Sequence, residues 1–124
     1  MKKRIRRKDF EIKFYENLIQ KRPNFVHALA SLGDAYTRGG FYKEGLAVDK
    51  RLAELKPQDP HVHYNLACSL SLTGDLQTAL EELKEAIVLG YDDFDYLFKD
   101  SDLENLRNLP ECREFFKKLS RRCP

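Results

Sequence analysis

The chain has 124 residues, 42% of them hydrophobic and 34% charged, with a formal net charge of +2. That length suits one cooperative unit rather than two domains, and a composition near the globular average excludes a disordered or low-complexity chain. No apolar run approaches the roughly eighteen residues that cross a bilayer, so a soluble protein is predicted.

At the amino end, residues 1–8 hold six of the 22 basic residues and no acid, which leaves 16 bases against 20 acids, net −4, for the rest. This run has the charge of a signal-peptide n-region, but Asp9 and Glu11 stand where an apolar stretch is required. No secretion signal is read, and a cytoplasmic location is expected. Lys2–Lys8 could meet the phosphates of nucleic acid or an anionic membrane. A solvated end is the favoured reading, since only the distant Lys117, Lys118, Arg121 and Arg122 supply a second basic signal. Cys68, Cys112 and Cys123 form an odd set without C-x-x-C spacing, which points to reduced thiols rather than a disulfide framework.

From Val26 onward the chain repeats every 34 residues. Val26–Asp59 and Pro60–Asp93 align without a gap, pairing Leu32 with Leu66, Gly33 with Ala67, Gly40 with Gly74, Gly45 with Ala79 and Leu55 with Leu89. One interval back from Pro57 lies Pro23, so residues 10–24 form the second helix of a truncated leading repeat. Small residues at 33, 45, 67, 79 and 86 let paired helices approach, while Leu29, Leu32, Tyr36, Leu66, Leu70, Leu80 and Leu83 fill the space between them. Asn24, Asp59 and Asp75 supply helix-start chemistry, and Gly39-Gly40, Thr73-Gly74 and Gly90 the stops. Helices are therefore predicted near 8–21, 25–38, 41–55, 60–72 and 75–89. Beyond them Phe94, Leu97 and Phe98, a capping box at Ser101-x-x-Glu104, and the stripe Leu103, Leu106, Leu109 predict a shorter helical cap.

Candidate chemistry is sparse. His61 and His63, two residues apart, point about 200° away from each other on a helix and cannot chelate one metal there. Gly39-Gly40 lacks the GK[ST] of a phosphate loop. Cys68 has no basic residue within a turn to lower its pKa, and the acids at Asp92-Asp93-x-Asp95 and Glu81-Glu82 suit helix starts and solvent faces. No catalytic residue, metal or cofactor is predicted.

The repeated residues resemble the tetratricopeptide repeat (TPR) family: Leu32-Gly33, Tyr36 and Pro57 in one copy, Leu66-Ala67, Ala79 and Ala86 in the other. The resemblance implies an all-α solenoid of helix-turn-helix units wound as a right-handed superhelix. Its segments are a basic tail (1–8), a partial leading repeat (9–25), two full repeats (26–59 and 60–93), a degenerate third repeat or cap (94–120) and a short tail (121–124). It also implies that the first helix of each repeat lines a concave groove for a peptide or protein partner. The ligand-facing positions become His27, Ala30, Asp34, Thr37 and Arg38 in the first repeat and His61, Tyr64, Cys68, Ser71 and Leu72 in the second, with Asn65, Asp95 and Phe98 extending the face. Independently, positions 61, 64, 68 and 71 share one helical face of polar and aromatic character, with Tyr64 as the expected anchor. The subfamily clamp for a free carboxyl terminus is not matched. Only Asn65 and Lys99 are compatible with it, and Asp34 and Asp95 would repel a carboxylate.

Two departures from the family pattern carry further expectations. Asp49 and His63 occupy positions usually held by aromatics and could pair across the repeat boundary, unless helix rotation leaves Asp49 in solvent. The alternative function is assembly: Ile12, Phe14, Leu18 and Ile19 are expected to lie uncovered on the leading helix, where a second copy could pack.

Overall fold

The computed structural model describes the backbone from Lys2 to Arg122 and the side chains of residues 10–121. Among these residues the chain is all-α, with no strand. It divides into two compact units, Met1–Pro57 and Gln58–Pro124.

The first unit comprises α1 (Lys2–Lys21), α2 (Val26–Arg38) and α3 (Tyr42–Leu55). Helix α1 begins at Lys2 rather than near residue 8, because Lys and Arg are good helix formers and no Gly or Pro interrupts the run. The proposed phosphate or membrane contacts of Lys2–Lys8 lie outside the described side chains. Helix α2 packs against both neighbours. Ile12 of α1 is buried with Leu32 and Ala35, and Tyr15, Ile19, Tyr36 and Val48 close over them. The expected uncovered stripe on α1 is thus corrected. Positions 12, 15 and 19 share the face turned to α2, Leu18 and Ile19 are half-buried, and only Phe14 of the four expected residues stays exposed, beside Phe10. Two polar ties bind α1 to α2: Arg38 Nη2 meets Glu11 Oε1 at 2.8 Å, and the Tyr36 hydroxyl donates to Glu16 Oε2. Asn24 does not cap α2, whose N-cap is Phe25 without a side-chain bond. Its amide oxygen instead accepts from Arg51 Nη2 at 2.6 Å, tying α3 to the start of α2.

The second unit comprises α4 (Pro60–Leu72), α5 (Leu76–Val88), α6 (Phe94–Lys99), α7 (Glu104–Arg107) and α8 (Arg113–Arg122), with 3-10 turns at Ser101–Leu103 and Pro110–Cys112. Asp59, Asp75 and Asp93 cap α4, α5 and α6 by accepting from backbone amides. The capping box at Ser101 does not form; Asp100 takes the cap, its Oδ1 accepting from the Asp102 amide at 3.0 Å. Gly40 and Gly74 occupy the same repeat position just past α2 and α4, with φ of 84° and 90°, a backbone conformation that side chains disfavour.

Helix α4 is buried at eight of its thirteen positions, whereas α2 is buried at five of thirteen. A helix apolar on nearly all sides needs a neighbour on each. Helix α5 covers one side of α4, where Ala67, Ala79 and Ala86 permit close approach; the Ser101–Leu103 turn and α7 pack against it as well. Leu83, Leu97, Leu103 and Leu106 are fully buried in this core, and each stabilises it by about 1.5–3 kcal/mol.

Candidate functional site

In the first unit the expected ligand-facing strip is accessible. His27, Ala30 and Asp34 are exposed along α2 at spacings of three and four residues. Arg38 continues the strip, but its guanidinium is held by Asp34 at 2.9 Å and by Glu11 of α1 at 2.8 Å. Thr37 is half-buried, and its hydroxyl donates to the Gly33 carbonyl at 3.1 Å.

In the second unit the equivalent strip is largely covered. Tyr64, the expected anchor, is 4% exposed; Cys68 and Ser71 are buried with it, and Leu72 is half-buried. The Tyr64 ring stacks on Tyr91 with centroids 4.2 Å apart and planes 4° from parallel. Its hydroxyl donates to Asp100 Oδ2 at 2.6 Å, and the Cys68 thiol lies 3.7 Å from the same oxygen. The face reads as polar because it closes on a buried carboxylate, not because it meets solvent. Burial pushes the Tyr64 phenol far above its ordinary range, with Cys68 and Asp100 adding to the effect. The Ser71 hydroxyl is buried without a partner among the described residues, while its carbonyl accepts from Asn105 Nδ2 at 3.3 Å.

What remains accessible here is His61, Asn65 and Asp95. The His61 ring meets Tyr91 edge-on at 5.6 Å. Phe98 is turned inward instead, its ring 6.4 Å from Phe116 of α8. Tyr96, which the sequence reading passed over, is 54% exposed with its ring 6.4 Å from that of Tyr64. Its place three residues past the Asp93 cap was the available signal, since that spacing turns it away from Leu97 and the core.

Three metal-capable donors, on Cys68, Asp100 and Asp102, lie within 4.8 Å of one another. The chemistry of the set fits an ion poorly. Asp100 already accepts from the Tyr64 hydroxyl and the Asp102 amide. Burial first, then the Asp100 and Asp102 charges, push the Cys68 thiol well up, which keeps it protonated when a ligand or nucleophile must be a thiolate. Of the two histidines weighed as ligands, His63 directs Nδ1 to Glu82 Oε1 at 2.6 Å, and His61 is solvent-exposed beside Asp59. Asp49 is 6% exposed, which overturns the reading that leaves it in solvent.

No protein-family model matches the chain. Over 78 residues, 60% of its length, it is 35% identical to a chloroplastic protein of Arabidopsis thaliana. The aligned region covers 23% of that protein, so the chain corresponds to less than a quarter of this relative. No helix among the described residues is long and apolar enough to cross a membrane.

Proposed function

We propose that this chain is a TPR-type module that binds a peptide or protein segment and catalyses nothing. The observation that carries the reading is the accessible strip His27, Ala30 and Asp34 on α2, a polar helix face that its own unit leaves uncovered. His61, Asn65 and Tyr96 offer a second accessible set on the other unit. The 34-residue period and the close helix pairing at Ala67 and Ala79 support the family assignment. A protonated, buried Cys68 supports a non-catalytic role. Free Cys68 and Cys112 support a reducing compartment such as the cytoplasm.

Affinity capture from a lysate tests this, comparing the parent with an Ala30→Arg/Asp34→Lys variant. Both positions are exposed, so helical circular dichroism should be unchanged. Loss of a specific partner with the variant supports binding at the α2 strip; identical partners from both proteins overturn it. A second reading, self-assembly, rests on Phe10 and Phe14, which are 77% and 53% exposed one turn apart on α1. Recovery of the chain alone, with sedimentation that shifts on Phe10→Ser/Phe14→Ser substitution, selects that reading.

A further inference from the structure

A second surface in the Gln58–Pro124 unit carries a separate inference. Between α5 and α8 runs an open groove of about 330 Å³ whose walls are Ile87, Val88, Phe115 and Leu119. Its volume lies at the small end of binding pockets, which span roughly 300–1,000 Å³, and suits one or two side chains of a segment lying across it. Positions 84, 87 and 88 share one face of α5. Val88 is 79% exposed there, the highest value among the exposed large hydrophobic residues, so the wall is apolar and uncovered.

The rim supplies the chemistry of the occupant. Lys84 and Lys118 flank the groove, and no carboxylate among the described residues lines it. Lys84 Nζ stands 5.5 Å from the centroid of the Phe115 ring, which holds the ammonium at the mouth. Neither lysine forms an ion pair among the described residues. Helix α8 adds Arg113, Lys117 and Arg121 against the single acid Glu114. Glu81 and Glu85 stand exposed a turn away on α5, but the polar groups that line the slot itself are both cationic, which favours an apolar side chain set among carboxylates.

We propose that the α5–α8 groove docks a short acidic segment of a partner protein through one large apolar side chain, with Lys84 and Lys118 pairing the flanking carboxylates. This surface is distinct from the α2 strip and does not rest on it. The exposed aromatics of α1 are poor occupants from a second copy, because α1 carries six basic residues within residues 2–8. The chain's own Asp92-Asp93-Phe94-Asp95-Tyr96 has the required chemistry, so self-docking is a distinguishable outcome.

The test uses fluorescence anisotropy with the labelled peptide Glu-Asp-Glu-Phe-Leu-Asp-Glu, a copy with Ser replacing Phe and Leu, and a copy with Lys replacing every acid. The parent should bind the first saturably and the other two at least about tenfold more weakly. Val88→Glu should lose the acidic peptide, and Lys84→Glu/Lys118→Glu should exchange preference toward the Lys peptide. Gln77→Ala, exposed on α5 but outside the groove, should change nothing. Thermal melts establish that each variant is folded, and if Val88→Glu is not, the lysine reversal decides alone. Equal binding by parent and groove variants, or no saturation by about 1 mM peptide, overturns the proposal. So does self-association of the parent that Val88→Glu abolishes, which would identify a second copy as the occupant.

Discussion

Helices α2 and α4 occupy the same place in consecutive 34-residue repeats, yet their corresponding faces have opposite fates. On α2 positions 30 and 34 stay in solvent; on α4 their counterparts Tyr64 and Cys68 are sealed against Asp100. The helical period puts such positions on one face but says nothing of what packs there. In the second unit the segment from Tyr91 to Arg107 folds back, stacking Tyr91 on Tyr64 and bringing Asp100 to its hydroxyl. Accessibility is thus a property of the neighbouring segment rather than of the repeat position.

The sharpest way to break this comparison is to remove the carboxylate that closes the second face. Asp100→Ala should cost about 2–4 kcal/mol, combining a lost helix cap of about 1 kcal/mol with an unpaired buried hydroxyl of about 1–3 kcal/mol. Asp34→Ala on the open face should cost about 0.5 kcal/mol or less, since its i,i+4 pair with Arg38 is exposed. Urea unfolding measures both, and similar costs would mean that the two faces are equally open. Asp100→Ala should also make Cys68 reactive toward a thiol reagent under native conditions.

A pH series sharpens the same contrast. Burial pushes the Tyr91 phenol up to about 12 and that of Tyr64 higher still, against about 10 in an unfolded chain. Groups whose folded pKa is raised contribute stability that is complete below the unfolded pKa and is lost as pH rises through the folded one. Melting temperature should therefore begin to fall above about pH 10, with late phenolate absorbance from these two residues. Tyr64→Phe should flatten the fall; an unchanged slope would place its origin elsewhere.

A smaller effect than the loss of Asp100 concerns the helix pairing inside the first repeat. A Cβ on Gly33 would lie 3.0 Å from Asp49 Oδ1 and 3.4 Å from Val48 Cγ1, where the second repeat has Ala67 and Leu83 at the positions matching 33 and 49. Alone, Gly33→Ala sets a helix-propensity gain of about 1 kcal/mol against displacement of the carboxylate. After Asp49→Ala the gain should appear nearly whole, giving a coupling of about 0.5–1 kcal/mol in a double-mutant cycle. Strict additivity would show that the contact imposes no constraint.

Helix existence was the most legible property, because it rests on local chemistry. The observed α2 to α5 begin and end within one residue of the predicted ranges, set by Pro60, the Asp59 and Asp75 caps, and glycines in the left-handed region. Errors arose where a side chain took a distant partner or where a neighbouring residue took its role. Asn24 binds Arg51 instead of capping α2, and Asp100 rather than Ser101 caps the turn that follows α6. The candidate site was legible only by position. His27, Ala30, Asp34, His61 and Asn65 stand exposed as expected, while Tyr64, Cys68 and Ser71 do not.

By itself the sequence determined the helical class, the period and the small residues at which helices meet, since backbone propensity, capping and 3.6-residue periodicity act over a few positions. Only the tertiary structure decided which polar face is a surface and which is an interior. It turned Ile12 inward and left Phe14 out, buried Tyr64 beneath Tyr91, and opened the groove between α5 and α8. Those outcomes depend on segments far apart in the chain, whose packing no local pattern encodes.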